Sequence, residues 1–166
     1  LGRENVEFIV DESRSLKPGY GDRIVNGKNY NFKVISGKNV DQKAQLIIFS
    51  VKSTNLDSAI ETAKNADIVI LALGEHAYHS GEGGSRSDIK LPEEQMELFR
   101  EVCKVNQNVV TILFSGRPLD LREIVAGSRA VLQAWFPGSE GGNAIADLLY
   151  GDEMPTGRLS ITFPYC

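Results

Sequence analysis

The sequence predicts an α/β fold: a three-layer α/β/α sandwich around a mostly parallel sheet of about five or six strands, with antiparallel pairing confined to its edge. Two observations carry this. The runs DIVILAL (67–73), VVTILF (109–114) and AVLQAW (130–135) are almost unbroken in their apolar character, as strands covered on both faces must be. The segments between them repeat apolar residues at helical spacing, so strand and helix alternate and successive strands run parallel.

The first fifty residues are strand-rich and less regular. VEFIV (6–10), YNFKVI (30–35) and LIIFSV (46–51) have strand character, and the stretches KPGYGDRIVNGKN and SGKNVDQKA between them, rich in Gly, Asn and Lys, read as turns. From Thr54 the pattern sharpens: Leu56, Ala59, Ile60 and Ala63 follow a Thr-Asn cap and form one helical stripe, and the strand Asp67–Leu73 comes directly after. PEEQMELFREVCKV is a second helix, with Pro92 and two glutamates in its first turn and Met96, Phe99, Val102 and Cys103 on its buried side. After VVTILF come a short helix from Leu119 to Ala126, the strand AVLQAW, and a helix from Gly142 to Tyr150 stopped by Gly151. RLSITF (158–163) alternates and reads as an antiparallel edge strand. The whole chain, 1–166, is expected to be one domain, with an α/β core at 54–164.

Composition narrows function. With 42% hydrophobic and 24% charged residues, and 18 basic against 22 acidic side chains giving a net charge of −4, the chain has no single-sign run suited to nucleic acid or an anionic membrane. No segment approaches the roughly 20 apolar residues of a membrane span. Leu1–Val10 lacks the basic and apolar blocks of a secretory leader, and a start at Leu1 rather than Met is expected of a fragment or a processed product. Cys103 and Cys166 have no motif spacing, which leaves disulfide and compartment open.

Chemistry concentrates beyond the carboxyl ends of the parallel strands, where such sheets bind ligands. Three loops fall on that edge: GEHAYHSGEGGSRSDIK (74–90), SGRPL (115–119) and FPGSEGG (136–142). The first holds Glu75, Glu82, both histidines of the chain, Arg86 and Asp88 among four glycines, and a polar loop of this length inside a compact domain is rarely idle. His76 and His79, three apart, are too few for a metal site without added carboxylates, so no metal and no cofactor is expected. Arg86 and Asp88 are expected to pair with each other or to fix the loop against SGRPL. Glu75 is expected to accept backbone N–H bonds, and Arg117 to brace neighbouring loops through its guanidinium fork. Trp135, at a strand end on the ligand edge, reads equally as core packing or as a platform on which a ligand stacks. Glu140, at the start of a helix, reads as a capping carboxylate.

The stretches ADIVILALGEHAYHSGEGGSRSDIKLPEEQ, VVTILFSGRPLDL and AVLQAWFPGSEGGNAIADLLYGDEMPTGRLSITFP together resemble the C-terminal α/β-sandwich domain of glycoside hydrolase family 3, the β-glucosidase and β-xylosidase family. The resemblance runs from Leu56 to Pro164, and of the earlier residues only the strand near Tyr30–Ile35 corresponds, as the sheet's first element. It implies a carbohydrate substrate and a division of labour in which a preceding (β/α)8 barrel supplies the nucleophilic Asp and most sugar contacts, while the sandwich lends its long loop. It places Glu82, in SGEGGSRSD, at the position of the general acid/base, and makes His79, Arg86 and Trp135 candidates for substrate contact. A retaining pair of carboxylates stands about 5–5.5 Å apart, one attacking the anomeric carbon and the other protonating the leaving oxygen and then activating water. A barrel needs about 250 residues, and the chain lacks the family's Ser-Asp-Trp motif, its one Trp being Trp135, so hydrolysis by the lone chain is not expected. The resemblance implies a periplasmic or secreted parent at least as readily as a cytoplasmic one.

Read from the residues alone, Glu82 between glycines is a solvated loop carboxylate. The alternative to a glycosidase domain is therefore the same sandwich acting as a non-catalytic carbohydrate-binding or scaffold module, and an adjacent encoded barrel separates the two. A nucleotide-binding domain fits poorly, because the glycines do not open a helix and no Gly-Lys-Ser/Thr occurs; thermal shift with nucleotides tests it.

Overall fold

The computed structural model describes residues 56–164 and, of the preceding segment, the backbone of five strands. In chain order the elements are β1 (Glu7–Val10), β2 (Asp22–Val25), β3 (Lys28–Asn31), β4 (Lys33–Ser36), β5 (Leu46–Ser50), α1 (Leu56–Lys64), β6 (Ile68–Gly74), a 3-10 turn (Ala77–His79), α2 (Glu93–Val105), β7 (Val109–Phe114), α3 (Arg122–Gly127), β8 (Ala130–Gln133) and α4 (Gly141–Tyr150). Six strands form one sheet in the order β4-β1-β5-β6-β7-β8, and every ladder in it is parallel.

Period-two alternation divides the strands between two helical layers. Val69, Leu71, Leu73, Val109 and Leu113 point to one face, where α1, α2 and α3 cover them with Ala63, Met96, Leu98, Phe99, Val102 and Ile124. Ile70 and Ile112 point to the other, beneath Ile145, Leu149 and Tyr150 of α4. Each fully enclosed Leu or Val contributes about 1.5–3 kcal/mol over an exposed one, which fixes the register of the central strands. A polar staple closes the layer of α1 and α2. Buried Asn106, at the C-terminus of α2, donates to the carbonyls of Ala63 at 2.9 Å and Ala66 at 2.8 Å and accepts from the amide of Asn108.

The structure differs from the sequence reading in several places. YNFKVI is split between β3 and β4, and the supposed turn KPGYGDRIVNGKN contains β2, which pairs with β3 as a separate antiparallel hairpin. The start of the sheet is thus built by β4, β1 and β5 together rather than by one strand near Tyr30. RLSITF forms no strand: Leu159 and Ile161 stand exposed, and only Phe163 packs against the core. Alternation sets the phase of a strand but supplies no partner. The short helix begins at Arg122, because Leu119 and Leu121 bury themselves in the preceding loop and Asp120 turns the chain by accepting from the Arg122 amide at 3.2 Å. On α2, Leu98 joins the buried side while Cys103 is only half-buried. The Thr-Asn cap expected before α1 lies outside the described residues.

Candidate functional site

The strands β6, β7 and β8 are parallel neighbours, so the three loops that leave their carboxyl ends meet on one edge of the sheet. Gly116 shows how closely. A side chain there would put its Cβ 2.3 Å from Ser80 Oγ of the first loop and 2.6 Å from the Phe136 ring of the third, so only the bare backbone lets the loops converge.

Beneath that convergence lies an ion pair with a buried carboxylate and a partly exposed guanidinium. Glu75, 7% exposed, accepts from Arg117 Nη2 at 2.7 Å and Nε at 3.1 Å, a fork on carboxylate across adjacent loops. Its carboxylate therefore takes a guanidinium rather than the backbone amides expected of it, and the pairing holds the Arg117 guanidinium above its ordinary pKa. Just before it, Gln95 of α2 grips Gly74 on both sides, accepting from its amide at 2.8 Å and donating to its carbonyl at 2.9 Å. On the other flank Ser115 Oγ donates to the Arg117 carbonyl and accepts from Gln133 Nε2. The Arg117 guanidinium also reaches the carbonyl of Asp88 at 3.4 Å, and the amide of Asp120 bonds the carbonyl of Ile89 at 2.9 Å.

Glu82 occupies the tip of the first loop. Gly81 and Gly83 on either side have φ of 94° and 77°, and the Gly84 amide closes on the Gly81 carbonyl at 3.1 Å, a tight turn that leaves the Glu82 side chain in solvent. Arg86 is exposed and does not pair with Asp88, whose carboxylate caps the amide of Lys90 instead. A carboxylate two residues before a free amide closes a local turn more readily than it holds a long flexible side chain. His79 is half-buried, with Nδ1 enclosed and without a hydrogen-bond partner. His76 stacks on Tyr78 at 4.6 Å. Among the described residues no three His, Cys, Asp or Glu side chains cluster as a metal site.

Trp135 lies beyond β8 with φ 55°, a left-handed conformation rare for a bulky residue, and its ring packs 5.7 Å from Phe163. Its neighbour Phe136 is 53% exposed, and Tyr78 on the first loop is 84% exposed, so both present open aromatic rings at the edge. Glu140 occupies the N-cap of α4 without a side-chain cap bond; its Oε2 accepts from Asn143 Nδ2 at 2.7 Å. Gln95, Gln133, Ser80 and Phe136 were not singled out by the sequence, since nothing local marks a glutamine on an amphipathic helix as the partner of a strand end 21 residues away.

The model of the glycosyl hydrolase family 3 C-terminal domain matches residues 6–165. The chain belongs to that family. The match reaches into the first fifty residues, which the motifs from Leu56 onward do not cover. A periplasmic β-glucosidase of Salmonella typhimurium is 35% identical over 159 residues, 96% of this chain and 20% of its own length. A β-glucosidase of Rhizobium radiobacter is 46% identical over 106 residues, 64% of this chain and 13% of its own. Among solved structures, the family 3 β-glucosidase of Bifidobacterium adolescentis superposes with a TM-score of 0.66 at 30% identity, covering 81% of this chain and 19% of its own. The family 3 domain thus spans about a fifth or less of these relatives, and no helix among its described residues is long and apolar enough to cross a membrane.

Proposed function

We propose that the chain is the acid/base-bearing lobe of a retaining β-glycosidase acting on terminal β-linked sugars, with Glu82 as the acid/base and the nucleophile on a (β/α)8 barrel elsewhere in a longer chain. The observation that carries this reading is the contrast within one loop: its base is tied into the sheet edge, while the Glu82 carboxylate stands free at the tip between two left-handed glycines. The names of the relatives, β-glucosidases and a β-xylosidase of Formosa agariphila, support the reaction class. Glu75 is a poor candidate for the proton donor, because it is buried and both its oxygens already accept from Arg117.

In this reading Glu82 donates a proton to the glycosidic oxygen as the bond to the anomeric carbon breaks, and the carboxylate so formed takes a proton from water when the glycosyl-enzyme is hydrolysed. His79 and Arg86, on the same loop, and Phe136, open at the edge, are the side chains from this lobe best placed to touch a sugar; Trp135 serves packing.

The test is turnover of aryl β-glycosides by the longer glycosidase with Glu82→Ala, with and without azide. A fall of about 10²–10⁴-fold that azide restores is expected. Unchanged turnover would leave the lobe as a cover or carbohydrate-binding scaffold.

A further inference from the structure

Both ends of the Glu82 loop are fastened to one neighbouring segment. At the leading end, Glu75 takes the fork of Arg117 at 2.7 and 3.1 Å, directly after Gly74 is gripped by Gln95. At the trailing end, the same guanidinium reaches the Asp88 carbonyl at 3.4 Å, one residue before Ile89 bonds Asp120. Arg117 itself is braced from behind, its carbonyl accepting from Ser115 Oγ, which in turn accepts from Gln133. Between these ends Ser80 lies against Gly116 and the residues 81–83 and 85–88 are exposed, so the direction in which the tip points is set by its ends together with that one contact.

We infer that Arg117 is a positioning residue for Glu82: by bridging Glu75 and Asp88 it holds the two ends of the loop together and so fixes where the acid/base carboxylate is presented. The inference rests on the acid/base reading of Glu82. Arg117 touches no reacting atom and acts only through the loop. A guanidinium is required because one planar group must satisfy a buried carboxylate with two donors and still reach a carbonyl on the far end, which an ammonium does with poorer geometry.

The experiment compares wild type, Arg117→Gln, Arg117→Lys, Glu75→Gln and Glu82→Ala in the longer glycosidase, on two substrates: a 2,4-dinitrophenyl β-glycoside, whose leaving group departs without a proton, and an alkyl β-glycoside, which needs one. Glycosylation is read as kcat/KM. The expected result for Arg117→Gln is a loss of about ten- to a hundredfold on the alkyl substrate, little loss on the dinitrophenyl substrate, and partial recovery with Arg117→Lys. Glu82→Ala shows the same selectivity at greater depth. Should Arg117→Gln fail to fold, Glu75→Gln removes the charge from the same pair with an isosteric side chain and must reproduce the selectivity.

Equal losses on both substrates mean general damage to the fold and overturn the inference, as does no loss on either. Selectivity in Glu82→Ala without selectivity in the Arg117 and Glu75 variants overturns the positioning role alone. A Glu82→Ala enzyme without selectivity overturns the acid/base reading, and the positioning role with it.

Discussion

At the scale of single residues, the loop edge is governed by side chains whose partners are far apart in sequence, Glu75 with Arg117 and Gly116 with Ser80 and Phe136. Phe136 presents an open ring beside these contacts, and under the proposed glycosidase function Phe136→Ala in the full-length protein is expected to raise KM for aryl glycosides by about two- to tenfold with kcat little changed, measured by steady-state kinetics. Away from the edge, Arg122 holds the Asp120 carboxyl down at about 2, and Arg100 lowers that of Glu123. A depressed folded-state value adds stability above the ordinary carboxyl value of 3.8 that is lost as pH falls through the folded value. Thermal unfolding followed from pH 5 to pH 2 is therefore expected to weaken over the lower part of that range, and Asp120→Asn to flatten the decline. Little of this residue-level detail was legible in the sequence. The fork on Glu75 spans 42 residues, and a left-handed tryptophan carries no local signal, so the sequence left packing and platform open for Trp135, whose ring is turned to Phe163.

Elements were legible where the hydrophobic pattern was long and had one interpretation. β6, α2 and β7 were expected within a residue of where they lie, because an unbroken apolar strand and a striped helix leave little choice of phase. The hairpin of β2 and β3 was missed although DRIV and KNYN flank Asn-Gly, the strongest short hairpin signal; weighting Gly and Asn as turn composition hid the strands beside them. RLSITF failed in the opposite sense, a well-formed pattern with no neighbouring strand to pair with. Close packing of elements gives one sharp prediction. A Cβ on Gly74 would lie 2.2 Å from the Phe114 carbonyl oxygen, in the backbone of the adjoining strand. Gly74→Ala is expected to destabilise the fold by about 3 kcal/mol or more, whereas Gly142→Ala, with open space around it, should change stability by less than about 1 kcal/mol. Calorimetric Tm values of the two variants check this.

For the molecule as a whole, the layered α/β architecture and the convergence of three loops on one edge followed from strand order alone. The proposal that the nucleophile lies outside this chain predicts that the isolated chain does not hydrolyse aryl β-glycosides; sustained turnover by the purified chain would refute it. Among the described residues the two faces of the sheet are unequally filled. The α1–α3 side encloses Leu71, Leu113, Val102 and their neighbours completely, while Ile70 and Ile112 are the buried apolar residues on the α4 side among those described. That imbalance sets an order of opening. Amide protons of β8 and α4 should exchange with deuterium well before those of β6 and β7, through a partial unfolding that peels one edge strand and its helix from the sheet. Such a fluctuation releases Phe136 and the FPGSEGG loop but leaves the Glu75–Arg117 pair in place, so the aromatic side of the edge can breathe while the carboxylate loop keeps its anchorage.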